Sequence, residues 1–303
     1  MEVSDISHKI IADLLTARSG QQLTEGRRWR VGSALSGIFR ERGISNVDQL
    51  VCLLAEPSGD ELAQQVVEAL LNNETYFFRD RVMFELLDQQ ALRALAERRA
   101  DTRKLAIWSA GCSTGQEALS LAMMFTEQAK RWAGWDITIH GTDVSTQAIS
   151  AARNARYTQF EIQRGLGVTQ MISHFEETPE GWKASPKLQK MVRFKVRNIL
   201  DPPESLQRYD LVLCRNVLLY FDGPTRERAF DRLAQSMAPD GLLMLGAGET
   251  TVGRTGSFEP VKGMQGLYGR AFPNSAINQP PTRAGHSAKN APPLMPLVGG
   301  ARG

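Results

Sequence analysis

Cysteine and histidine are scarce in this 303-residue chain and widely dispersed. Cys52, Cys112 and Cys214 form no Cys-x-x-Cys pair, so there is no basis for a disulfide framework or a zinc site. The four histidines are equally scattered, and no metal is expected. No apolar run approaches the roughly 20 residues that span a bilayer, and the start carries no charged-then-apolar leader. The expectation is a cytoplasmic protein that does not insert into a membrane. A dominant charge is also missing: 36 basic against 33 acidic residues leave a net charge of +3, too little to argue for nucleic acid as the main partner.

What is present is a globular composition, 42% hydrophobic and 23% charged, long enough for one large domain and a smaller one. Residues 1–72 carry helical patterning and no strand signal. Ile6, Ile10, Ile11, Leu14 and Leu15 recur at helix spacing before Gly20, and Ser58-Gly-Asp-Glu61 reads as a capping box ahead of the run Leu62–Leu71. Between Gly26 and Gly43, Arg27, Arg28, Arg30, Arg40 and Arg42 surround Trp29, Val31, Leu35, Ile38 and Phe39. This reads as a basic amphipathic helix or pair of helices, either a solvated face or a docking surface for an acidic helical partner.

From Leu105 onward strands and helices alternate. Leu105–Gly111, Asp136–Asp143, Arg193–Ile199, Tyr209–Asn216 and Gly241–Gly248 read as strands, and Glu117–Lys130, Ser145–Ala155 and Pro224–Ala238 as helices. The expected fold is a doubly wound, Rossmann-like α/β sheet, closed by a hairpin-like pair at Phe258–Val261 and Gly266–Arg270. Residues 157–192 are too many for a plain crossover and predict a small inserted subdomain with a helical run near Val168–Phe175. Residues 272–303 turn rich in Pro, Gly, Ser and Asn and read as a disordered tail.

The most informative stretch is Ala106-Ile-Trp-Ser-Ala-Gly-Cys-Ser-Thr-Gly-Gln-Glu117, an apolar strand opening through a glycine loop into a helix. It presents backbone N–H groups and one acid at a strand's C-terminal edge, where open α/β sheets bind nucleotide-like ligands. The loop is not Gly-x-Gly-x-x-Gly and has no Lys-Ser/Thr for phosphates; the ligand it suits lacks phosphates, with S-adenosylmethionine the first candidate. Asp143 closes the second strand, as a ribose ligand or as the neighbour of a helix cap. Asn198 ends the third, where an amide can pair with an adenine edge. Cys214-Arg215-Asn216 ends the fourth and leads to Tyr220-Phe221-Asp222 beside the same crevice.

Asn73-Glu-Thr-Tyr-Phe-Phe-Arg79 lies between the helical part and the sheet, and by itself reads as a linker with packed aromatics. Together with Trp108-Ser-Ala-Gly-Cys-Ser-Thr-Gly115, Asp143, Cys214-Arg-Asn-Val217 with Tyr220-Phe221, and Phe258-x-Pro-Val-x-Gly263 to Gly266-Leu-Tyr-Gly269, it resembles the CheR family, methyltransferases that esterify glutamates on bacterial chemoreceptors. The resemblance runs in order from about residue 20 to 270.

That resemblance implies S-adenosylmethionine as cofactor, S-adenosylhomocysteine as product, and a helical N-terminal domain (1–72) that docks the cytoplasmic helical region of chemoreceptors through Arg27, Arg28, Arg30, Arg40 and Arg42. The methyltransferase domain is then 73–271. It implies cofactor contacts from Asn73, Thr75, Arg79, Glu117, Asp143, Asn198, Ile199, Cys214, Arg215 and Asn216, and puts Arg79 and Tyr220 at the transferred methyl. A monomer is expected. Two motifs depart from the family pattern, at Thr114-Gly-Gln-Glu-Ala-Leu119 and Gly246-Ala-Gly-Glu249. Both keep their glutamates, so cofactor binding is expected to survive, while Ala247 and Gly248 lack polar side chains for substrate. In some members the inserted subdomain grips a receptor's terminal peptide by strand addition. Here Phe175–Phe194 is shorter and less glycine-rich, and independence from such a peptide is expected.

Four other readings remain open on sequence. A methyltransferase acting on nucleic acid would need a base-flipping Asn/Asp-Pro-Pro-Tyr loop after the fourth strand, whereas Asp201-Pro-Pro-Glu204 follows the third. A dehydrogenase would need a different glycine spacing. A catalytically silent adaptor that senses the cofactor, or an enzyme with another protein acceptor, fits the same motifs.

Overall fold

A computed structural model describes residues 5–27, 29–203 and 208–271. Arg28 and the tail read as 272–303 lie outside the described residues. The helical part comprises α1 (Asp5–Ser19), a 3₁₀ turn at Glu25–Arg27, α2 (Arg30–Ala34), α3 (Ser36–Arg42), α4 (Val47–Leu54) and α5 (Gly59–Leu70). Its core gathers Ile11, Val31, Leu35, Ile38, Phe39, Val47, Leu50, Leu62 and Val66. The buried stripe of α1 is Ser7, Ile11, Leu15 and Ser19, so Ile6 and Ile10 of the apolar repeat face outward, and Trp29 is 76% exposed. Ser58 makes no capping hydrogen bond: its backbone sits at φ −86°, ψ 0°, away from the extended geometry that lets an N-cap hydroxyl reach back to the first turn.

The chain continues through α6 (Arg81–Leu86), a π turn (Leu87–Ala91) and α7 (Leu92–Arg98) into β1 (Lys104–Ala110), α8 (Gln116–Glu127), β2 (Asp136–Asp143) and α9 (Thr146–Asn154). The insertion follows as β3 (Arg156–Tyr157), α10 (Gln159–Gln163), α11 (Val168–His174), β4 (Phe175–Thr178), β5 (Gly181–Ala184) and α12 (Pro186–Met191). Then come β6 (Val192–Val196), β7 (Tyr209–Cys214), a 3₁₀ turn at Leu218–Tyr220, α13 (Gly223–Ser236), β8 (Met237–Leu245), β9 (Phe258–Pro260) and β10 (Leu267–Arg270).

Seven strands form one sheet in the order β6-β2-β1-β7-β8-β10-β9, and β3-β5-β4 form a separate antiparallel sheet within the insertion. The four pairings along β6, β2, β1, β7 and β8 are parallel; β10 and β9 are antiparallel additions. Strand residues alternate between two cores as the pleat requires. Leu105 and Ile107 join Leu211, Leu213, Leu242 and Met244 on the face covered by α8. Trp108 and Ala110 join Val212, Cys214, Leu243 and Leu245 on the face covered by α13. Both faces are therefore dry, as a parallel sheet demands.

Several strand ends differ from the sequence reading, with β7 stopping at Cys214 and β8 at Leu245 rather than at Asn216 and Gly248. β6 stops at Val196, because Arg197 N–H donates to the Asp143 carbonyl (2.8 Å) and Asn198 Oδ1 accepts from Leu200 N–H (3.0 Å), turning the chain out of the ladder. β8 starts at Met237, ahead of Gly241, through a register irregularity between Tyr209 and Leu211. No helix among the described residues is long and apolar enough to cross a membrane.

Candidate active site

The chain winds outward from β1 through β2 to β6, then returns to lay β7 against the other side of β1. At such a switch the loops leaving two adjacent strands diverge and open a crevice. The loops after β1 (111–115) and β7 (215–220) bound a cavity of about 840 Å³ counting its open mouth, which also reaches Ser19, Gln21, Asn72, Arg197 and Ile199. Gly111 (φ +78°) is required where these loops meet, since a Cβ there would fall 2.3 Å from Val217 Cγ2.

The acidic side is built first. Asp143 is 8% exposed at the end of β2. Its Oδ2 accepts from Ser113 N–H (2.8 Å) and its Oδ1 from Ser145 N–H (2.9 Å). Burial raises its pKa above the ordinary 3.8, these N–H groups oppose the shift, and the nearby Glu68 carboxylate adds to it. Glu117, in the first turn of α8, accepts from Ser109 Oγ (2.7 Å) and from Arg215 Nη1 (3.0 Å). Arg215 also donates Nη2 to the Arg79 carbonyl (2.6 Å) and to Asp80 Oδ2 (2.8 Å).

The opposite wall comes from the linker motif and from Tyr220. The motif divides by side chain. Phe77 is sealed between Tyr157 and Phe175 at ring distances of 5.0 and 5.4 Å, and Phe78 packs on Phe84, as the packed-linker reading anticipates. Asn73, Thr75 and Arg79 face the cavity, and Arg79 Nη1 donates to the Glu74 carbonyl (2.8 Å). The Tyr220 hydroxyl accepts from Asn72 Nδ2 (2.5 Å), and the Arg27 guanidinium stands 4.3 Å over its ring.

Of the residues singled out from sequence, the structure brings Asn73, Thr75, Arg79, Glu117, Asp143, Asn198, Ile199, Arg215, Asn216 and Tyr220 to one cavity. Cys214 is not among them. Its side chain is fully buried on the α13 face of the sheet, because strand alternation turns it into the core, and burial pushes its thiol pKa up. The Asn198 amide lines the cavity but spends Nδ2 on the Arg18 carbonyl at the end of α1 (3.0 Å). Among the basic docking residues, Arg42 is held by Gln65 (3.2 Å) and Glu61 (3.6 Å), and Arg40 is exposed.

Sequence reasoning missed Ser19, Gln21 and Arg197 in the wall. It also missed Glu68, which lies 6% exposed on α5 and reaches the start of α9. Glu68 accepts from Thr146 N–H (2.6 Å), Thr146 Oγ1 (2.7 Å), Gln64 Nε2 (3.2 Å) and Ser145 Oγ. A lone carboxylate following Leu62, Ala63, Val66 and Val67 on the buried side of a helix was the available signal. Buried carboxylates need partners.

The donor set fits a nucleoside carrying a positive charge and no phosphate. Carboxylates stand at Asp143 and Glu117, the apolar wall is Val144, Ile199, Val217 and Phe221, and the glycine loop holds no lysine. A switch-point cavity with this chemistry on a seven-stranded sheet with a terminal antiparallel pair defines an S-adenosylmethionine-dependent methyltransferase. Comparison with known proteins narrows the class. Residues 73–267 match the CheR methyltransferase SAM-binding domain, and the chain belongs to that family. Chemotaxis protein methyltransferase 1 of Pseudomonas aeruginosa is 32% identical over 275 residues, covering 89% of this chain and 100% of the relative. Chemotaxis protein methyltransferase of Vibrio parahaemolyticus is 30% identical over 268 residues, 88% of this chain and 96% of the relative. Chemotaxis protein methyltransferase Cher2 of Pseudomonas putida is 30% identical over 276 residues, 89% and 100% respectively. S-adenosylmethionine is the cofactor, and the chemistry is methyl transfer of the chemotaxis type.

Proposed function

We propose that this chain esterifies glutamate side chains in the cytoplasmic helical region of chemoreceptors, giving γ-glutamyl methyl esters in service of chemotactic adaptation, and that it acts as a monomer. The observation that carries the reading is the meeting of Arg79, Arg215 and Tyr220 with Glu117 and Asp143 around a single cavity. Its cationic and hydroxyl groups suit an anionic acceptor, and its carboxylates suit a cationic donor.

A glutamate carboxyl has an ordinary pKa of about 4.3 and is already the nucleophilic anion at neutral pH, so the site needs no general base. The cofactor, when bound, supplies an electrophilic methyl group on a sulfonium. Asp143 accepts from ribose hydroxyls, and Glu117 offers negative charge to the amino-acid end. Tyr220, with its oxygen accepting from Asn72, directs its own hydrogen toward an acceptor carboxylate. Arg79 sets the other side of that approach. Holding donor and acceptor in line supplies about 7–11 kcal/mol in favourable cases. A fully formed Arg79 salt bridge would blunt the nucleophile, which favours orientation over tight pairing.

The helical part (1–72) is read as the docking domain, with Arg27, Arg30 and Arg40 meeting acidic receptor helices. Independence from a receptor terminal peptide is supported by the edges of the small sheet. β3 is two residues long, and β4 carries Glu176 and Glu177 outward, which repels a terminal carboxylate and offers little backbone for strand addition. Tight binding of a receptor's terminal peptide would overturn that part.

The deciding experiment is transfer of labelled methyl from S-adenosylmethionine to membranes containing chemoreceptors, followed by mild base. Base-labile label recovered as methanol from the receptor supports the ester reading. Cofactor binding without labelled receptor would favour a silent adaptor or another acceptor.

A further inference from the structure

The loop that brings Asn216 and Tyr220 to the cavity buries Leu218 and Phe221 in the α13-side core, and Arg226 donates to the Leu218 (3.0 Å) and Phe221 (2.7 Å) carbonyls. Its N–H groups at Asn216, Val217 and Leu219 are held instead by one carboxylate from elsewhere. Glu249 follows β8, and its Oε2 accepts from Asn216 N–H (2.8 Å) and Gly246 N–H (2.9 Å). Its Oε1 accepts from Val217 N–H (3.1 Å) and Leu219 N–H (3.2 Å). Three of these donors come from four consecutive residues of the β7 loop. Asn216 is left-handed (φ +59°) and Val217 is right-handed (φ −113°, ψ −51°), a succession that points neighbouring N–H groups to one side and makes a concave anion site. Gly246 admits the carboxylate: a Cβ there would lie 2.8 Å from Glu249 Oε2 and 3.0 Å from Asn216 N.

We infer that Glu249 is a positioning residue for methyl transfer, acting as a resident anion that moulds the Asn216–Tyr220 loop into the acceptor wall. Glu249 does not line the cavity, whereas Asn216, Val217 and Tyr220 do, so its effect passes through the loop. The inference rests on the reading of Tyr220 given above. A single carboxylate satisfying three loop N–H groups sets their relative directions together. Without it those donors turn to water independently, and the 3₁₀ turn carrying Tyr220 loses the bond at Leu219 that fixes its start.

This predicts chemical rescue. Glu249→Ala empties the site but leaves it shaped for a small carboxylate, whereas Glu249→Gln fills it with an amide whose NH₂ faces N–H donors and cannot accept from them. Methyl transfer to receptor membranes should fall about tenfold or more in both variants, the scale of losing one charge-assisted hydrogen bond. Affinity for S-adenosylhomocysteine should fall by less than methyl transfer does, because the Asp143 and Glu117 side is untouched even where Asn216 shifts. Deuterium exchange over residues 215–221 should accelerate in both. Sodium formate should restore transfer and slow exchange in Glu249→Ala, and do neither in Glu249→Gln. Gly246→Ala, which evicts the carboxylate without removing it, should behave as Glu249→Gln.

Full activity in Glu249→Ala, unchanged exchange over 215–221, or equal losses of rate and affinity that formate leaves unmoved would overturn the inference. Should Glu249→Ala not fold, exchange in Glu249→Gln and Gly246→Ala decides it. If the wild-type protein labels no receptor, the proposed substrate fails, and the exchange and formate measurements still judge Glu249 on their own.

Discussion

Two arginines close the two ends of the same sheet, and they do so differently. Where the strands begin, Arg99 donates Nε to Asp210 (2.8 Å) and both terminal nitrogens to Asp240 (2.7 and 2.6 Å), while Asp210 also accepts from Ala106 N–H (2.9 Å). All three guanidinium nitrogens are engaged. Where the strands end, Arg215 reaches Glu117, Asp80 and the Arg79 carbonyl, yet its Nε has no partner among the described residues. The side chain of Arg215 is 2% exposed and that of Arg99 19%, so the more deeply buried cation is the one that leaves a guanidinium nitrogen without a partner. Desolvating a charge without completing its hydrogen bonds costs stability. The Arg99 end ties strands together, and the Arg215 end borders the cavity.

The comparison is broken most severely by Arg99→Ala, which strands the Asp210 carboxylate in the interior. Unfolding free energy should drop by about 3 kcal/mol, read as a lower urea midpoint, with S-adenosylhomocysteine affinity unchanged below the transition. Arg215→Ala should invert that pattern. Methyl transfer falls about 100-fold, or about 2.7 kcal/mol, and the urea midpoint moves less than in Arg99→Ala; equal midpoint shifts would erase the distinction between the two ends.

Asp143→Asn sharpens the functional side. On the proposed reading ribose hydroxyls donate to the ionised carboxylate, so wild-type affinity for S-adenosylhomocysteine should be full above the raised Asp143 pKa and decline as pH falls through it. The variant should bind about tenfold more weakly at neutral pH, a loss of about 1.4 kcal/mol, with a flatter profile by calorimetry. Asp240→Asn should be the mildest. The Arg99 hydrogen bond holds the Asp240 pKa below its ordinary 3.8, so its contribution to stability is present above that ordinary value and vanishes as pH falls through the lowered one. Its side chain is 47% exposed, which limits the effect to under about 1 kcal/mol. A difference between wild type and Asp240→Asn that persists in strong acid would refute the assignment.

The parallel sheet was readable because its strands are buried on both faces and bounded by glycine loops and capped helices. Glu117 and Asp143 were readable because strand, loop and acid are adjacent in sequence. Cys214 was misread for the same reason: adjacency to Arg215 suggested a shared site, but the two-residue strand period sends the thiol into the core. Arg197 went unnoticed within Val192-Arg-Phe-Lys-Val-Arg197, where charges look like an ordinary exposed strand. Ser19 and Gln21 could not be read at all, since they join the wall only when α1 packs beside the loop after β6. Pattern reports what one element does with its neighbours in sequence, and these residues depend on neighbours in space.

Glu68 makes one more thing concrete. The family match begins at residue 73, a natural place to cut or recombine, yet the first turn of α9, next to the Asp143 carboxylate, is capped from the other side of that line. A chimera joining the helical part of one relative to the catalytic part of another would inherit a cap from one parent and a helix start from the other. Function in such hybrids should therefore track whether residue 68 and residues 145–146 descend from the same parent.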